Sequence, residues 1–252
     1  MNVYLVLLVF AVVLNTGESR FVKKFQDNSW QGDETKEESE IESLSLSHRY
    51  LSPYSPPELT TAELEKNNWE MIFRATAGNG QNTYDAWTTG AKTTASKPVN
   101  MKRSLDSHFR DPGVAQWTSN GITYVKFALY KDNREVANVI FDARGSTSTN
   151  WFSSSKVVDS SWTDLMSTGS YRIFSVAGHT NSQTERRFHI ATQQGGCDND
   201  RGFVASIEHN DCDWDNHPSY PQFIYSDIDS DDVFQRRQFG RADYLAVFVF
   251  RY

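Results

Sequence analysis

Short runs of alternating apolar and polar residues recur along the chain from Trp69 to Phe250, and Gly, Asn, Asp and Ser separate them. Such alternation over about four to eight residues is typical of half-buried β-strands. The chain is therefore expected to be mainly β with short helices, a β-rich α+β fold with a single antiparallel-sheet domain. The predicted strands are 69–76, 122–130, 136–143, 171–177, 186–192, 202–208, 221–226 and 243–250.

The clearest hairpin lies at 122–143, where the turn "KDNRE" joins two strand-like runs. The last run, "DYLAVFVF", is so apolar that an edge position would promote aggregation, so we expect it to be central in its sheet. Thr60 or Thr61 can cap a short helix that begins there. A second short helix is expected over 104–117, broken at Pro112 because proline lacks the N–H donor. The stretch "TAGNGQNTYDAW" (76–87) is predicted to be a turn or bulge.

The N-terminus predicts export of the protein. Residues 3–14, "VYLVLLVFAVVL", form an apolar run of 12 residues, which is short for a membrane span of about 20 and suits a secretory signal over 1–18. Residues 19–64 are charged and rich in Ser and Pro, which favours a disordered linker or propeptide. Residues 65–252 are then the extracellular domain. A net charge of −7 argues against nucleic-acid partners, and we expect no membrane anchor.

The chain has two cysteines, Cys197 and Cys212. In an oxidising compartment two cysteines most often pair, and the bridge would close a loop of about 15 residues, worth roughly 3 kcal/mol. Two free thiols are the alternative. A zinc site would need two further ligands, and the spacing of the nearby His209 and His217 matches no familiar zinc pattern.

Acidic residues are concentrated in the C-terminal third of the chain. Between Asp198 and Asp232 there are nine aspartates and one glutamate, against one arginine. Calcium takes carboxylate and carbonyl oxygens from irregular loops, so these clusters predict a possible calcium cofactor, although "DIDSDD" fails the full EF-hand pattern. A solvated acidic rim that aids solubility or contacts a mineral or cationic surface is the alternative. The candidate ligands are Asp198, Asp200, Asp211, Asp213, Asp215, Asp227 and Asp229.

Catalytic signatures are absent from the sequence. There is no HExxH, GxSxG or phosphate-binding glycine loop. Glu70 is the best isolated carboxylate for glycoside hydrolysis, and an outward-facing strand position explains it equally. Sugar stacking and a half-buried position at the margin of the fold are both open for the tryptophans. These are Trp87, Trp117, Trp151, Trp162 and Trp214. We expect a protein that is not an enzyme.

Several short motifs, among them "WEMIFRATAG", "YDAW", "GGCDNDRGF", "CDW", "PQFIYS" and "ADYLAVFVF", resemble a secreted domain of invertebrate shell and skeletal organic-matrix proteins. The C-terminal part distantly resembles fibrinogen-related and intelectin-like domains, but has only two cysteines. The resemblance implies a secreted, non-catalytic extracellular matrix protein that meets a mineral surface or a polysaccharide. It also leaves a calcium-assisted, lectin-like carbohydrate-binding module as the alternative.

Overall fold

The computed structural model describes residues 58–101 and 107–251 of the chain. Two β-sheets dominate this part, with strands far outnumbering short helices and with antiparallel pairing prevailing. The predicted mainly β, single-domain fold is therefore confirmed. The predicted signal segment 1–18 and the linker up to residue 57 lie outside the described residues.

The first sheet contains seven strands in the order β2-β3-β1-β14-β4-β5-β6. Its strands are β1 (Trp69–Thr76), β2 (Thr93–Thr94), β3 (His108–Arg110), β4 (Ile122–Lys131), β5 (Arg134–Asp142), β6 (Val157–Ser160) and β14 (Tyr244–Arg251). The apolar final strand, β14, pairs with β1 on one side and β4 on the other. The prediction that this strand is central is confirmed.

The second sheet has the order β13-β11-β10-β9-β7, with β12 and β8 pairing at the ends of β10 and β9. Its strands are β7 (Ile173–Ser175), β8 (His179–Thr180), β9 (Glu185–Gln193), β10 (Arg201–Ile207), β11 (Gln222–Ser226), β12 (Asp232–Val233) and β13 (Phe239–Ala242). Each of the eight predicted strands overlaps an observed one. The main differences are at the ends, most of all in β7, which keeps three of the seven residues predicted over 171–177.

The predicted hairpin between β4 and β5 has a two-residue turn. Lys131 pairs with Arg134, and Asp132 and Asn133 between them have φ of 48° and 60°. A turn with two left-handed residues matches the twist of the flanking strands, and Asp and Asn tolerate that conformation better than most residues. The turn predicted at "KDNRE" is therefore confirmed.

The first helix, α1 (Thr61–Leu64), begins where the sequence predicts. Thr60 is its N-cap and forms a capping box with Glu63. Leu59 and Leu64 pack on an outer-face cluster that includes Met71. Residues 58–64 thus pack on the first sheet, and the domain begins earlier than the predicted boundary at residue 65.

The helix predicted over 104–117 is wrong. His108–Arg110 is the strand β3, and a 3-10 helix begins at Pro112 and extends to Ser119. Asp111 caps this helix by accepting a hydrogen bond from the Gly113 N–H at 2.7 Å. Proline occupies the first turn, where no backbone N–H is needed, so it starts the helix instead of breaking it.

The turn or bulge predicted over 76–87 is only partly correct, because residues 83–89 form the helix α2 (Thr83–Thr89). The Asn82 side chain caps α2 by accepting from the Asp85 N–H at 2.9 Å. Gly90, with φ of 76°, ends it in the left-handed conformation. The remaining 3-10 helices are Lys66–Asn68, Ser154–Lys156 and Phe234–Arg236. None of the described helices has the length and apolarity to cross a membrane.

An aromatic core joins the inner faces of the two sheets. Phe188 of β9 lies 6.5 Å from Phe73 of β1 and 6.0 Å from Phe127 of β4, between ring centroids. Trp87 of α2 contacts both Phe73 and Phe188. Since the two sheets supply opposite sides of one cluster, the fold is a β-sandwich. Different segments pack on the two outer faces of the sandwich. The helix α1 packs on the first sheet, and a loop segment packs on the second.

Candidate functional site

The predicted disulfide joins the loops that pack on the outer face of the second sheet. Cys197 and Cys212 are bonded, with their Cα atoms 5.4 Å apart. We call residues 197–200 and 211–215 the disulfide cap. The cap packs on β10 and β11 in a cluster of Ala205, Ile207, Cys212, Trp214, Ile224 and Phe234. The cysteines therefore join two loops across one face of a sheet, and the disulfide prediction is confirmed.

Arg186 of β9 lies beneath the disulfide cap, with 1% of its side chain exposed. Its Nη1 lies 2.5 Å from Asp200 Oδ2, and its Nη2 lies 3.4 Å from Asp215 Oδ2 and 3.5 Å from Asp211 Oδ2. The guanidinium carbon is 4.5 Å from the ring centroid of Trp214. One arginine thus gathers three of the seven aspartates that the sequence proposes as calcium ligands.

Backbone N–H groups donate to the two most buried of these carboxylates. Asp215 Oδ1 accepts from the N–H of Asp211 at 3.0 Å and of Cys212 at 2.9 Å. Asp200 Oδ1 accepts from Gly195 at 3.2 Å. A buried charge is tolerated when an opposite charge and hydrogen-bond donors replace its hydration. The arrangement explains how Asp200 and Asp215, both below 4% exposure, can lie inside the fold.

The other four predicted aspartates are exposed. We call them the acidic rim: Asp198, Asp213, Asp227 and Asp229. The loops 194–200 and 227–231 leave the same end of the second sheet, because Arg201 pairs with both Gln193 and Val233. Asp229 caps a neighbouring turn, where its Oδ1 accepts from the Thr163 N–H at 2.7 Å.

The described residues offer little support for a calcium site. Among them, the one group of three candidate ligand atoms within 4.8 Å of one another is Cys197, Asp211 and Cys212. The two sulfurs are bonded to each other and so are not thiolate ligands. The seven aspartates do not converge on one point, since three surround Arg186 and four are exposed. A calcium site stays a prediction that rests on composition.

A separate cleft of about 510 Å³ opens beside β10. Its walls are the glycine-rich turn after β1 and the segment before β11. The turn is bonded to that segment, with Gly78 N–H donating to Pro221 O and Gly80 N–H to Tyr220 O, both at 2.8 Å. The lining residues are Gly78, Gly80, Gln81, Asn82, Glu208, Pro218, Ser219, Tyr220 and Pro221.

Glu208 is the one residue of that lining that has a carboxyl group. Its Oε2 accepts from the Thr83 N–H at 3.0 Å, and its Oε1 accepts from the Ser206 hydroxyl at 2.8 Å. Burial raises the pKa of Glu208 to about 7; the nearby Glu185 adds to this effect, and the two hydrogen bonds oppose it. The carboxyl is therefore divided between its neutral and charged forms near neutral pH, a property often found at functional sites.

Glu185 of β9 lies behind the cleft and is held in its charged form. Although burial alone would raise the pKa of Glu185, hydrogen bonds from Arg187 and Asn82 lower it below its usual value. The Asn82 Nδ2 donates to Glu185 Oε1 at 2.9 Å, and the Arg187 Nη2 donates to the same oxygen at 2.7 Å. The positive charge of Arg187 is thus paired with Glu185. None of the residues that line the cleft is Lys, Arg or His.

Two histidines are fully buried and serve the fold. His108 Nδ1 accepts from the Thr76 N–H at 3.0 Å, and its Nε2 lies 2.9 Å from Gln81 O. Burial lowers the pKa of His108 to about 4, and burial lowers the pKa of His189, 1% exposed, to about 3. Neither ring nitrogen of His189 has a hydrogen-bond partner among the described residues. Both imidazoles are therefore neutral at physiological pH.

The remaining candidates from the sequence are structural. Glu70 forms an ion pair with Arg251 at the surface, as expected for an outward-facing strand residue. All five tryptophans considered for sugar stacking are buried, at 5% exposure or less. Their indoles are committed to the core, so a ligand cannot stack on them.

Sequence reasoning missed Arg186, Asn82 and Glu208. Arg186 lies in the predicted strand "RRFHIAT", where a charged residue is expected to face solvent. The excess of aspartates later in the sequence was the one indication that a cation could be buried among them. Glu208 was visible as a glutamate directly after an apolar strand. Its proximity to residues 78–82 depends on contacts between distant segments, which no local pattern reveals.

Comparisons with protein-family models, with curated proteins and with solved structures find no match to this chain.

Proposed function

We propose that the chain is a secreted, non-catalytic protein of an extracellular matrix, a component of the organic matrix of a shell or other calcified structure. Its acidic rim would attach it to a mineral or other cationic surface. The observation that carries this proposal is the division of the aspartates: three lie within 3.5 Å of the Arg186 guanidinium, and the four of the acidic rim remain exposed.

The disulfide supports the extracellular part of the proposal, since such bonds persist in oxidising compartments. The apolar run at residues 3–14 suits export. The two buried histidines support a non-catalytic role, because their neutral rings are enclosed in the core. An exposed carboxylate can meet positive charge at a surface, and salt weakens such contacts.

The test is sedimentation with calcite powder, using the full chain collected from the medium of expressing cells. The variant Asp198→Asn/Asp213→Asn/Asp227→Asn is expected to bind at least fivefold less protein per gram of calcite. The matched control, Asp85→Asn/Asp132→Asn/Asp159→Asn, removes three carboxylates that are equally exposed but lie outside the acidic rim. Equal binding by the two triple variants, failure of the parent to bind calcite, or absence of the protein from the medium would each contradict the proposal.

A further inference from the structure

We propose that the cleft beside Glu208 binds an uncharged sugar residue of a polysaccharide and needs no bound cation to do so. This site is distinct from the acidic rim, and the inference goes beyond the proposed attachment to mineral. It assigns to the protein a second, carbohydrate-binding surface built from the turn after β1, the end of β10 and the segment before β11.

The size and shape of the cleft suit a small ligand. Its volume of about 510 Å³ falls within the range of roughly 300 to 1,000 Å³ that is usual for small-molecule sites. Gly80, with φ of 75°, presents no side chain to the cleft, and a Cβ placed there would meet no atom within 4 Å. The cleft is thus open where a ligand would enter.

The walls are held in place before any ligand arrives. Beyond the two bonds to the glycine-rich turn, the Tyr220 hydroxyl donates to Asp215 O at 3.2 Å and accepts from the His217 N–H at 2.9 Å. Asp215 belongs to the network around Arg186. A preformed site loses little conformational entropy when it binds, which favours affinity for a weakly interacting ligand such as a sugar.

The chemistry of the lining selects for an uncharged, hydroxyl-bearing ligand. Asn82, Ser219 and Glu208 bring polar atoms that can exchange hydrogen bonds with hydroxyl groups. The rings of Pro218, Tyr220 and Pro221 line the same cleft and can contact the C–H face of a sugar ring.

Charge disfavours the acidic alternatives. Among the residues that the structure describes, no cationic side chain lines the cleft, whereas Glu208 lies in it and Glu185 lies behind it, bonded to Arg187 and Asn82. A sulfate, phosphate or uronate would meet the Glu208 carboxyl and no cationic group in the described lining. An uncharged ligand is also compatible with Glu208 in its neutral form, which the raised pKa makes available near pH 7.

The test is binding of the full chain to an array of neutral, sulfated and uronate-containing oligosaccharides in the presence of EDTA. The neutral oligosaccharide with the strongest signal is then titrated by calorimetry. We expect binding to neutral glycans in preference to acidic ones, with a Kd that EDTA leaves unchanged. Glu208→Ala should weaken binding at least tenfold, because it removes the carboxyl group of the lining. Glu208→Gln, which keeps a neutral hydrogen-bonding group there, should stay within about threefold of the parent.

Two further variants separate a binding defect from a folding defect. Gly80→Asn adds a side chain to the open part of the cleft, and asparagine tolerates the positive φ, so it should weaken binding at least tenfold with an unchanged circular dichroism spectrum. Glu70→Ala removes an exposed carboxylate elsewhere and should bind as the parent does. No neutral glycan bound, loss of binding in EDTA, preference for acidic glycans, or parental affinity in both Glu208→Ala and Gly80→Asn would overturn the proposal. Because the rim variants leave the cleft intact, a failure of calcite binding would not affect this outcome.

Discussion

At the scale of single residues, Arg186 takes the place that a divalent cation would take among clustered carboxylates. It lies within 3.5 Å of three aspartates, of which two are almost fully buried. Removing the cation would leave the buried carboxylates of Asp200 and Asp215 in a poorly hydrated environment with only their backbone N–H donors. The energetic cost of losing one partner of a buried ion pair is therefore much larger than the net gain from forming the pair.

We expect Arg186→Met to lower the free energy of unfolding by about 3 to 5 kcal/mol, because methionine fills part of the volume but supplies no charge. Arg144→Met is the matched control. The Arg144 side chain is 67% exposed, and its Nη2 lies 2.5 Å from Asp142 Oδ2, so its loss should change stability by less than about 1 kcal/mol. Urea denaturation followed by circular dichroism measures both variants. Similar changes in the two would show that the buried network contributes no more than a surface pair.

At the scale of elements, local sequence patterns located the strands well and located the helices poorly. Strands such as β1 and β4 are eight and ten residues long and rich in β-branched and aromatic residues, so their composition is a signal long enough to be recognised. The segment 104–117 failed because Pro112 can either end or begin a helix, and the choice depends on the cap supplied by Asp111. The helix α2 is seven residues long and starts within a glycine-rich stretch that favours a turn.

The candidate sites were less predictable than the strands. The bond between Cys197 and Cys212 was predictable from two cysteines in a chain for which the sequence predicts export. The pairing of Arg186 with Asp200, Asp211 and Asp215 joins residues 14 to 29 positions apart, and the cleft joins the turn at residues 78–82 to Glu208. Such contacts are set by how strands pair and by how loops fold back, which sequence periodicity does not encode.

The disulfide cap allows a prediction at this scale. Cys197→Ala/Cys212→Ala should lower the free energy of unfolding by about 3 kcal/mol, because it removes the constraint on the unfolded chain. The effect should not be additive with that of Arg186→Met, since both changes act on the same cap. A double-mutant cycle measures the coupling, and the same cycle with Arg144→Met in place of Arg186→Met is the control. Equal coupling energies in the two cycles would show that the disulfide and the Arg186 network stabilise the fold independently.

At the scale of the whole molecule, the buried titratable groups make stability depend on pH. The pKa values of His108 and His189 fall to about 4 and about 3 in the folded protein, from about 6.5 in an unfolded chain. The unfolded state therefore binds more protons below pH 6.5, and stability is lost as the pH falls towards 4. Glu208 acts in the opposite direction, because its raised pKa costs stability as the pH rises from about 4.5 through 7.

We expect the free energy of unfolding to fall by about 3 kcal/mol for each buried histidine between pH 6.5 and pH 4, partly offset by Glu208. His189→Leu should remove about half of the histidine contribution, because leucine fills a similar volume and cannot take up a proton. Urea denaturation at the two pH values gives the measurement. His217→Leu, at a half-buried site outside the core, controls for the loss of any histidine. If the parent and His189→Leu lose stability equally on acidification, the buried imidazole is not the cause.

The position of β14 has a consequence for how the protein is made. Residues 244–251 are synthesised after the other strands of the two sheets, β1 to β13, yet they hydrogen-bond to both β1 and β4 in the middle of the first sheet. A nascent chain that lacks them would leave the facing edges of β1 and β4 open, although the hairpin of β4 and β5 can already form. Completion of the sandwich must therefore await the emergence of residues 244–251 from the ribosome, and earlier folding can only prepare the two flanks between which that strand is inserted.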